Sequence, residues 1–108
     1  MIRKNPHETI DRINAAQDRL IAAKLRRDRR VLDIARQNLR RWSTRDGRNI
    51  RRVFQEWQRI LDRLTASEVV DFLRSDTPMA RRLRQSNPFA GVLTEAERRK
   101  IRQKHEKA

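Results

Sequence analysis

The chain has 108 residues, a formal net charge of +14, and 39% charged against 36% hydrophobic residues. Because typical domains hold about 45–50% apolar residues, we expect one domain with a small core and a very polar surface. The lack of cysteine excludes disulfides and thiolate metal sites, and the lack of a long apolar run excludes a membrane-spanning helix. The N-terminal segment has no apolar h-region of a signal peptide, so we expect a cytoplasmic protein without a membrane partner.

The first predicted helix begins near Pro6. Asn5 is a favourable N-cap, Pro6 suits the first helical position, and Glu8 completes a capping-box pattern. Apolar residues then recur with helical spacing over the following turns. The pattern predicts a helix from Pro6 to about Lys24.

A dense charge run at residues 24–30 follows this helix and contains neither glycine nor proline. It is either a turn capped by Asp28 or a continuation of one long helix. We expect the turn, because repulsion between neighbouring arginines weakens a helix. The next apolar stripe extends from Val31 to Trp42 and predicts a second helix, which ends before Gly47.

The third predicted helix has the clearest apolar pattern in the chain. Residues from Ile50 to Leu64 follow the i, i+3, i+4, i+7 spacing of an amphipathic helix, so we expect this helix at the centre of the core. Because the core is small, a homodimer in which two such helices pack together is a further way to bury Trp57 and Leu61.

The remaining sequence predicts short helices. Thr65 with Glu68, and Thr94 with Glu97, have the spacing of capping boxes, and Pro78 marks another helix start. No segment alternates with period two for long enough to form a strand. We therefore expect an all-α fold, a small helical bundle of three main helices plus two or three short C-terminal helices.

The expected domain organisation follows from these patterns. Residues 1–93 form a single helical domain, and residues 94–108 form a basic C-terminal helix or tail. The tail has few apolar residues, so we expect it to fray from Arg102 onward.

The positive charge is concentrated in two blocks. Residues 24–52 contain twelve basic and three acidic residues, and residues 81–108 contain nine basic and three acidic residues. Of the 28 basic residues 23 are arginine, whose planar guanidinium group matches the geometry of phosphate. A GC-rich genome would enrich arginine as well, so a solvated surface that only keeps the protein soluble is the alternative interpretation.

The sequence contains no constellation of catalytic or metal-ligating residues. His7 and His105 lie near opposite ends of the chain, and the carboxylates are scattered among arginines. The two glycines, Gly47 and Gly91, cannot form a phosphate-binding loop. We therefore expect neither an enzyme nor a cofactor or metal site.

Four of the five aromatic residues lie on apolar stripes and are expected in the core. Phe89 is the exception, because it lies in the turn Asn87-Pro88-Phe89. We expect it either to fill the core from this loop, which the following Val92 and Leu93 favour, or to be an exposed anchor for a partner protein.

The segments NPHETI at residues 5–10, NLRRW at 38–42 and SNPFAGVLT at 86–94, with Glu97 and Arg98, cover about a fifth of the chain. They resemble segments of small proteobacterial proteins to which no function has been assigned. The resemblance implies a bacterial cytosolic origin and carries over no site residue.

These observations favour a small, basic, non-enzymatic protein that binds DNA or RNA through phosphates, largely without regard to sequence. The alternative is an adaptor or inhibitor that binds an acidic protein surface, such as that of a nucleic-acid-processing complex, with Phe89 as an anchor. In the first block, the residues expected to contact phosphate are Arg26, Arg27, Arg29, Arg30, Arg36, Arg40, Arg41, Arg48, Arg51 and Arg52. In the second block, they are Arg81, Arg82, Arg84, Arg98, Arg99 and Lys100.

Overall fold

The computed structural model describes residues 6–45 and 51–106, and every regular element in those ranges is an α-helix. The helices are α1 (Pro6–Arg27), α2 (Val31–Arg45), α3 (Arg52–Arg63), α4 (Ala66–Arg74), α5 (Pro78–Arg84) and α6 (Glu95–Glu106). The all-α prediction is confirmed. The division into three main and two or three short helices is approximate, because α6 has 12 residues, the same as α3. The predicted N-cap Asn5, the turn at Gly47 and the start of the third stripe at Ile50 lie outside the described residues.

A tight turn at residues 28–30 separates α1 from α2, as the charge run predicts. Asp28 organises this turn, because its Oδ1 accepts a hydrogen bond from the backbone N–H of Arg30 at 2.9 Å. The side chain of Arg30 donates to the same oxygen at 3.0 Å. These hydrogen bonds lower the pKa of Asp28, so the carboxylate is charged and holds the turn near neutral pH.

The helix starts at Thr65 and Thr94 are fixed by the predicted capping boxes. The Thr65 hydroxyl accepts from the N–H of Glu68 at 3.2 Å, and Glu68 Oε1 accepts from the N–H of Thr65 at 2.9 Å. Thr94 and Glu97 form the same reciprocal pair at 3.1 and 2.8 Å. Each box satisfies two backbone donors that would otherwise lack partners, which is why α4 and α6 begin where they do.

Trp57 of α3 lies at the centre of the core and is fully buried. Its indole N–H donates to the carbonyl of Leu83 at 3.0 Å. Its ring packs edge-on against Phe72 and Phe89, with centroids 5.5 and 6.0 Å apart. Leu61 is also buried within the single chain, so the burial of these α3 residues needs no second copy.

The turn that carries Phe89 is held by buried polar side chains. Asn38 of α2 donates from Nδ2 to the carbonyls of Pro88 and Ala90, both at 2.8 Å. Asn87 Oδ1 accepts from the N–H of Phe89 at 2.7 Å. Phe89 is only 2% exposed, so it fills the core and is not available as an exposed anchor for a partner.

The last helix, α6, lies against α1. Lys24 Nζ forms an ion pair with Glu97 Oε1 at 2.7 Å and donates to the carbonyl of Val92 at 3.0 Å. The helix continues to Glu106, and Arg102 pairs with Glu95 at 3.1 Å. In the described parts of the chain, no helix combines the length and apolarity needed to cross a membrane.

Candidate nucleic-acid interface

The end of α1 and the turn after it carry three arginines, Arg26, Arg27 and Arg29, which we call the corner cluster. All three are exposed. The one carboxylate among residues 26–30, Asp28, is engaged by the guanidinium of Arg30 at 3.0 Å. None of the three forms an ion pair with another described residue, so the corner cluster presents three uncompensated positive charges to solvent.

The predicted basic stripe on α2 is divided between two roles. Arg36 donates from Nη2 to the carbonyl of Leu61 at 2.8 Å, so it links α2 to α3. Arg41 donates to the side-chain oxygen of Asn38 and thereby orients the amide that holds the turn at residues 88–90. Arg40 is exposed and lines a shallow depression of the α2 surface. Of these arginines, Arg40 is the one whose guanidinium group has no hydrogen bond to another described residue.

Three of the predicted phosphate contacts lie just before or at the start of α3, and the two that the structure describes are exposed. The guanidinium of Arg51 lies 5.9 Å from the ring centroid of Phe54, a cation–π contact that leaves its charge uncompensated. Arg52 is exposed and forms no ion pair within the described ranges. Arg48 lies outside the described residues.

Four of the six residues predicted in the second basic block form ion pairs with carboxylates. The pairs are Arg81 with Asp76 at 2.9 Å, Arg82 with Glu56 at 2.6 Å, Arg84 with Asp18 at 3.0 Å and Arg98 with Glu95 at 2.8 Å. The hydrogen bonds from Arg81 and Arg82 lower the pKa of Asp76 and Glu56, which keeps both carboxylates ionised. Arg99 and Lys100 are exposed and form no ion pair with a described residue.

One of these pairs lies in the interior. Asp18 is 2% exposed and the side chain of Arg84 is 9% exposed. Arg84 Nε and Asp18 Oδ2 approach without the geometry of a hydrogen bond, whereas Asn87 donates to Asp18 Oδ1 at 2.5 Å. Burial raises the pKa of Asp18 to about 7, against the attraction of Arg84 and the hydrogen bond from Asn87. Arg84 therefore contributes to the interior and not to an open phosphate-binding surface.

A cleft of about 460 Å³ between α1, α4 and α5 contains arginines that the two charge blocks did not indicate. Arg12 and Arg19 of α1 and Arg74 of α4 line it and are exposed. None of the three forms an ion pair with another described residue. Counting charge by region could not find them, since residues 1–23 are nearly neutral and residues 53–80 are net negative. The seven-residue spacing of Arg12 and Arg19, which places them on one helix face, was the available signal.

The chain matches no protein-family model, and searches of the curated proteins and of the solved structures give no match either. The function must therefore be argued from the residues of this chain. Over residues 6–45 and 51–106, no three or more histidine, aspartate or glutamate side chains are grouped so that they could hold a metal ion.

Proposed function

We propose that this protein binds nucleic acid through the phosphate backbone, with the corner cluster at the centre of the contact. The observation that carries the proposal is the electrostatic isolation of Arg26, Arg27 and Arg29. The only carboxylate between them is occupied by Arg30, so their charges are balanced by mobile ions. When a polyanion binds, it displaces the anions near these arginines and loses its own condensed cations. This release of counterions favours binding.

In this proposal, arginines on α2 and at the start of α3 would extend the contact. Arg40, Arg51 and Arg52 are exposed, and no described carboxylate neutralises them through an ion pair. Together with the corner cluster they give six guanidinium groups able to make bidentate hydrogen bonds with phosphate. Arg99 and Lys100 of α6 add two further charges.

The aromatic residues support binding without sequence preference. Base stacking requires aromatic rings that are open to solvent on a basic surface. Trp57 and Phe89 are buried, and the half-buried Trp42 and Phe54 pack against each other with centroids 5.1 Å apart. Recognition would therefore depend on phosphates and not on bases.

The ion-paired arginines of the second block contribute little to this contact. A phosphate that approached Arg81, Arg82 or Arg98 would have to displace a carboxylate already held at 2.6–2.9 Å. Exposed pairs of this kind are individually weak, but each leaves little net charge to attract a polyanion. Unpaired and ion-paired arginines therefore differ in the net charge with which they attract phosphate.

Two triple variants that remove equal charge test this distinction. Fluorescence anisotropy measures the binding of each variant to a blunt duplex with 5′-hydroxyl ends over a range of salt concentrations. In the variant R26Q/R27Q/R29Q, the slope of log K against log salt should become shallower by about 3, since each lost phosphate contact removes roughly 0.9. In the matched control R81Q/R82Q/R98Q, the slope should change by less than about 1. Equal changes in both variants, or no change in either, would refute the proposal.

A further inference from the structure

One face of α1 is polar where it faces the cleft between α1, α4 and α5. Glu8, Asp11, Arg12, Ala15 and Arg19 recur at spacings of three and four residues, so they form one helical stripe. All five line the cleft of about 460 Å³ that separates α1 from the end of α4 and from α5. The small side chain of Ala15 in the middle of this stripe leaves room for the cleft.

The opposite wall is formed by arginines on two other helices. Arg74 is the last residue of α4, and Arg81 and Arg84 lie one turn apart on α5. Arg84 is fixed, because it is nine-tenths buried, pairs with Asp18 at 3.0 Å and donates to the carbonyl of Leu73 at 3.4 Å. Arg84 is therefore held in this wall by packing within the protein.

The charges in the cleft are arranged for a ligand that is both anionic and rich in hydroxyl groups. Five arginines and three carboxylates line it, and Arg81 is engaged by Asp76 at 2.9 Å. Arg12, Arg19 and Arg74 have no carboxylate partner among the described residues and can donate to an anion. Glu8, Asp11 and Asn14 supply acceptor oxygens for hydroxyl groups. The only apolar residues of the lining are Ala15 and Leu73, which offer no platform for an aromatic ring.

We propose that this cleft binds a phosphorylated sugar. The phosphate would accept hydrogen bonds from Arg12, Arg19 and Arg74, and the sugar hydroxyls would donate to Glu8 and Asp11. The cleft volume lies within the range of about 300–1,000 Å³ that is typical of small-molecule sites. The sugar phosphate is either a free metabolite or the terminal nucleotide of a strand that bears a 5′-phosphate, and the site is separate from the corner cluster.

Isothermal titration calorimetry on the full chain tests this site with ribose 5-phosphate, ribose and inorganic phosphate as probes. Ribose 5-phosphate should bind more tightly than either of the other two, because only it engages both the arginines and the carboxylates. The variant R12Q/R74Q should weaken its binding by about tenfold or more, whereas R59Q/R63Q, which removes equal charge from the exposed face of α3, should change it by less than about twofold. Arg19→Gln gives an independent second variant with the same expected direction.

Competition then identifies the source of the sugar phosphate. Displacement of ribose 5-phosphate by a 5′-phosphorylated oligonucleotide, and not by its 5′-hydroxyl form, would support a strand terminus. Failure of both oligonucleotides to displace it would support a free metabolite. Equal weakening by R12Q/R74Q and R59Q/R63Q, or binding of ribose 5-phosphate no tighter than that of inorganic phosphate, would overturn the proposal. Neither result would bear on duplex binding by the corner cluster, which is measured on a duplex with 5′-hydroxyl ends.

Discussion

The buried carboxyl of Asp18 should make the stability of this protein fall as the pH rises from the acidic range to about neutrality. Its pKa is about 7 in the folded chain, where burial disfavours the charged form, and its ordinary value is 3.8. Between these two values the folded chain holds a proton that the unfolded chain has released. The free energy of unfolding therefore decreases with pH across this interval and levels off above pH 7.

The magnitude follows from the interval between the two pKa values. Each pH unit in which the folded chain binds one proton more than the unfolded chain changes the free energy of unfolding by about 1.4 kcal/mol. Over the whole interval the loss is on the order of 4 kcal/mol, and between pH 5 and pH 8 it is about 3 kcal/mol. Asp76 and Glu56 have pKa values that are lowered by their arginine partners. Their contribution to the free energy of unfolding therefore changes only at more acidic pH.

Urea denaturation monitored by tryptophan fluorescence, at fixed ionic strength and at several values between pH 5 and pH 8, measures this dependence. Asp18→Asn is the control, since the asparagine side chain has the same shape but cannot titrate. The free energy of unfolding of this variant should depend on pH much less than that of the unaltered protein. Arg84→Met should be more destabilising at pH 8 than at pH 5, because at high pH it leaves a buried carboxylate without its counter-charge. Stability that is constant or rises from pH 5 to pH 8 in the unaltered protein, or a slope that survives Asp18→Asn, would refute the reasoning.

Three further predictions concern the interior and the helix ends, and each is measured as a change in the free energy of unfolding in urea. Trp57→Phe removes the hydrogen bond to the Leu83 carbonyl and part of the packing against two aromatic rings. It should lower the free energy of unfolding by about 2–4 kcal/mol. A decrease of less than about 1 kcal/mol would contradict the central position of this residue. Asn38→Ala leaves two carbonyls at residues 88–90 without their donor and should cost about 2–3 kcal/mol. A cost equal to that of Gln37→Ala, an exposed neighbour on α2, would show that these bonds contribute nothing. Thr65→Ala removes one half of a capping box and should cost about 1 kcal/mol, with Thr65→Ser as the control that retains the hydroxyl.

The helices could be predicted from the sequence because their signals are local. The apolar spacing of α3 and the threonine–glutamate pairs at Thr65 and Thr94 involve residues within a few turns of one another. The break after α1 could be expected as well, since the charge repulsion and the capping residue Asp28 lie in the same short segment.

The nucleic-acid interface was harder to predict, because the net charge of an arginine-rich surface also depends on carboxylates that are distant in sequence. Arg82 meets Glu56 across 26 positions, and Arg84 meets a carboxylate on the first helix. No pattern within the second block indicates these two contacts, so six of its nine basic residues were assigned to phosphate on composition alone. The fold brings distant carboxylates to Arg82 and Arg84, whereas Arg81 and Arg98 pair with Asp76 and Glu95, which lie five and three positions away.

Phe89 shows the same limitation. Its turn sequence was compatible with a core position and with an exposed anchor. The turn is held by Asn38, which lies 50 positions from Pro88, and the ring of Phe89 is buried in the core. The adaptor hypothesis therefore loses Phe89 as an exposed anchor. Arg12, Arg19 and Arg74 were missed for the converse reason, because three helices must come together before their shared cleft exists.

The most direct test of the central claim is the salt dependence of duplex binding by the unaltered protein, measured by fluorescence anisotropy after treatment with nuclease and purification. If the six unpaired guanidinium groups of the corner cluster, α2 and the start of α3 engage about six phosphates, log K should fall with log salt at a slope of about −5. A slope near zero, or no binding at low salt, would contradict the claim that these arginines form a surface for phosphate.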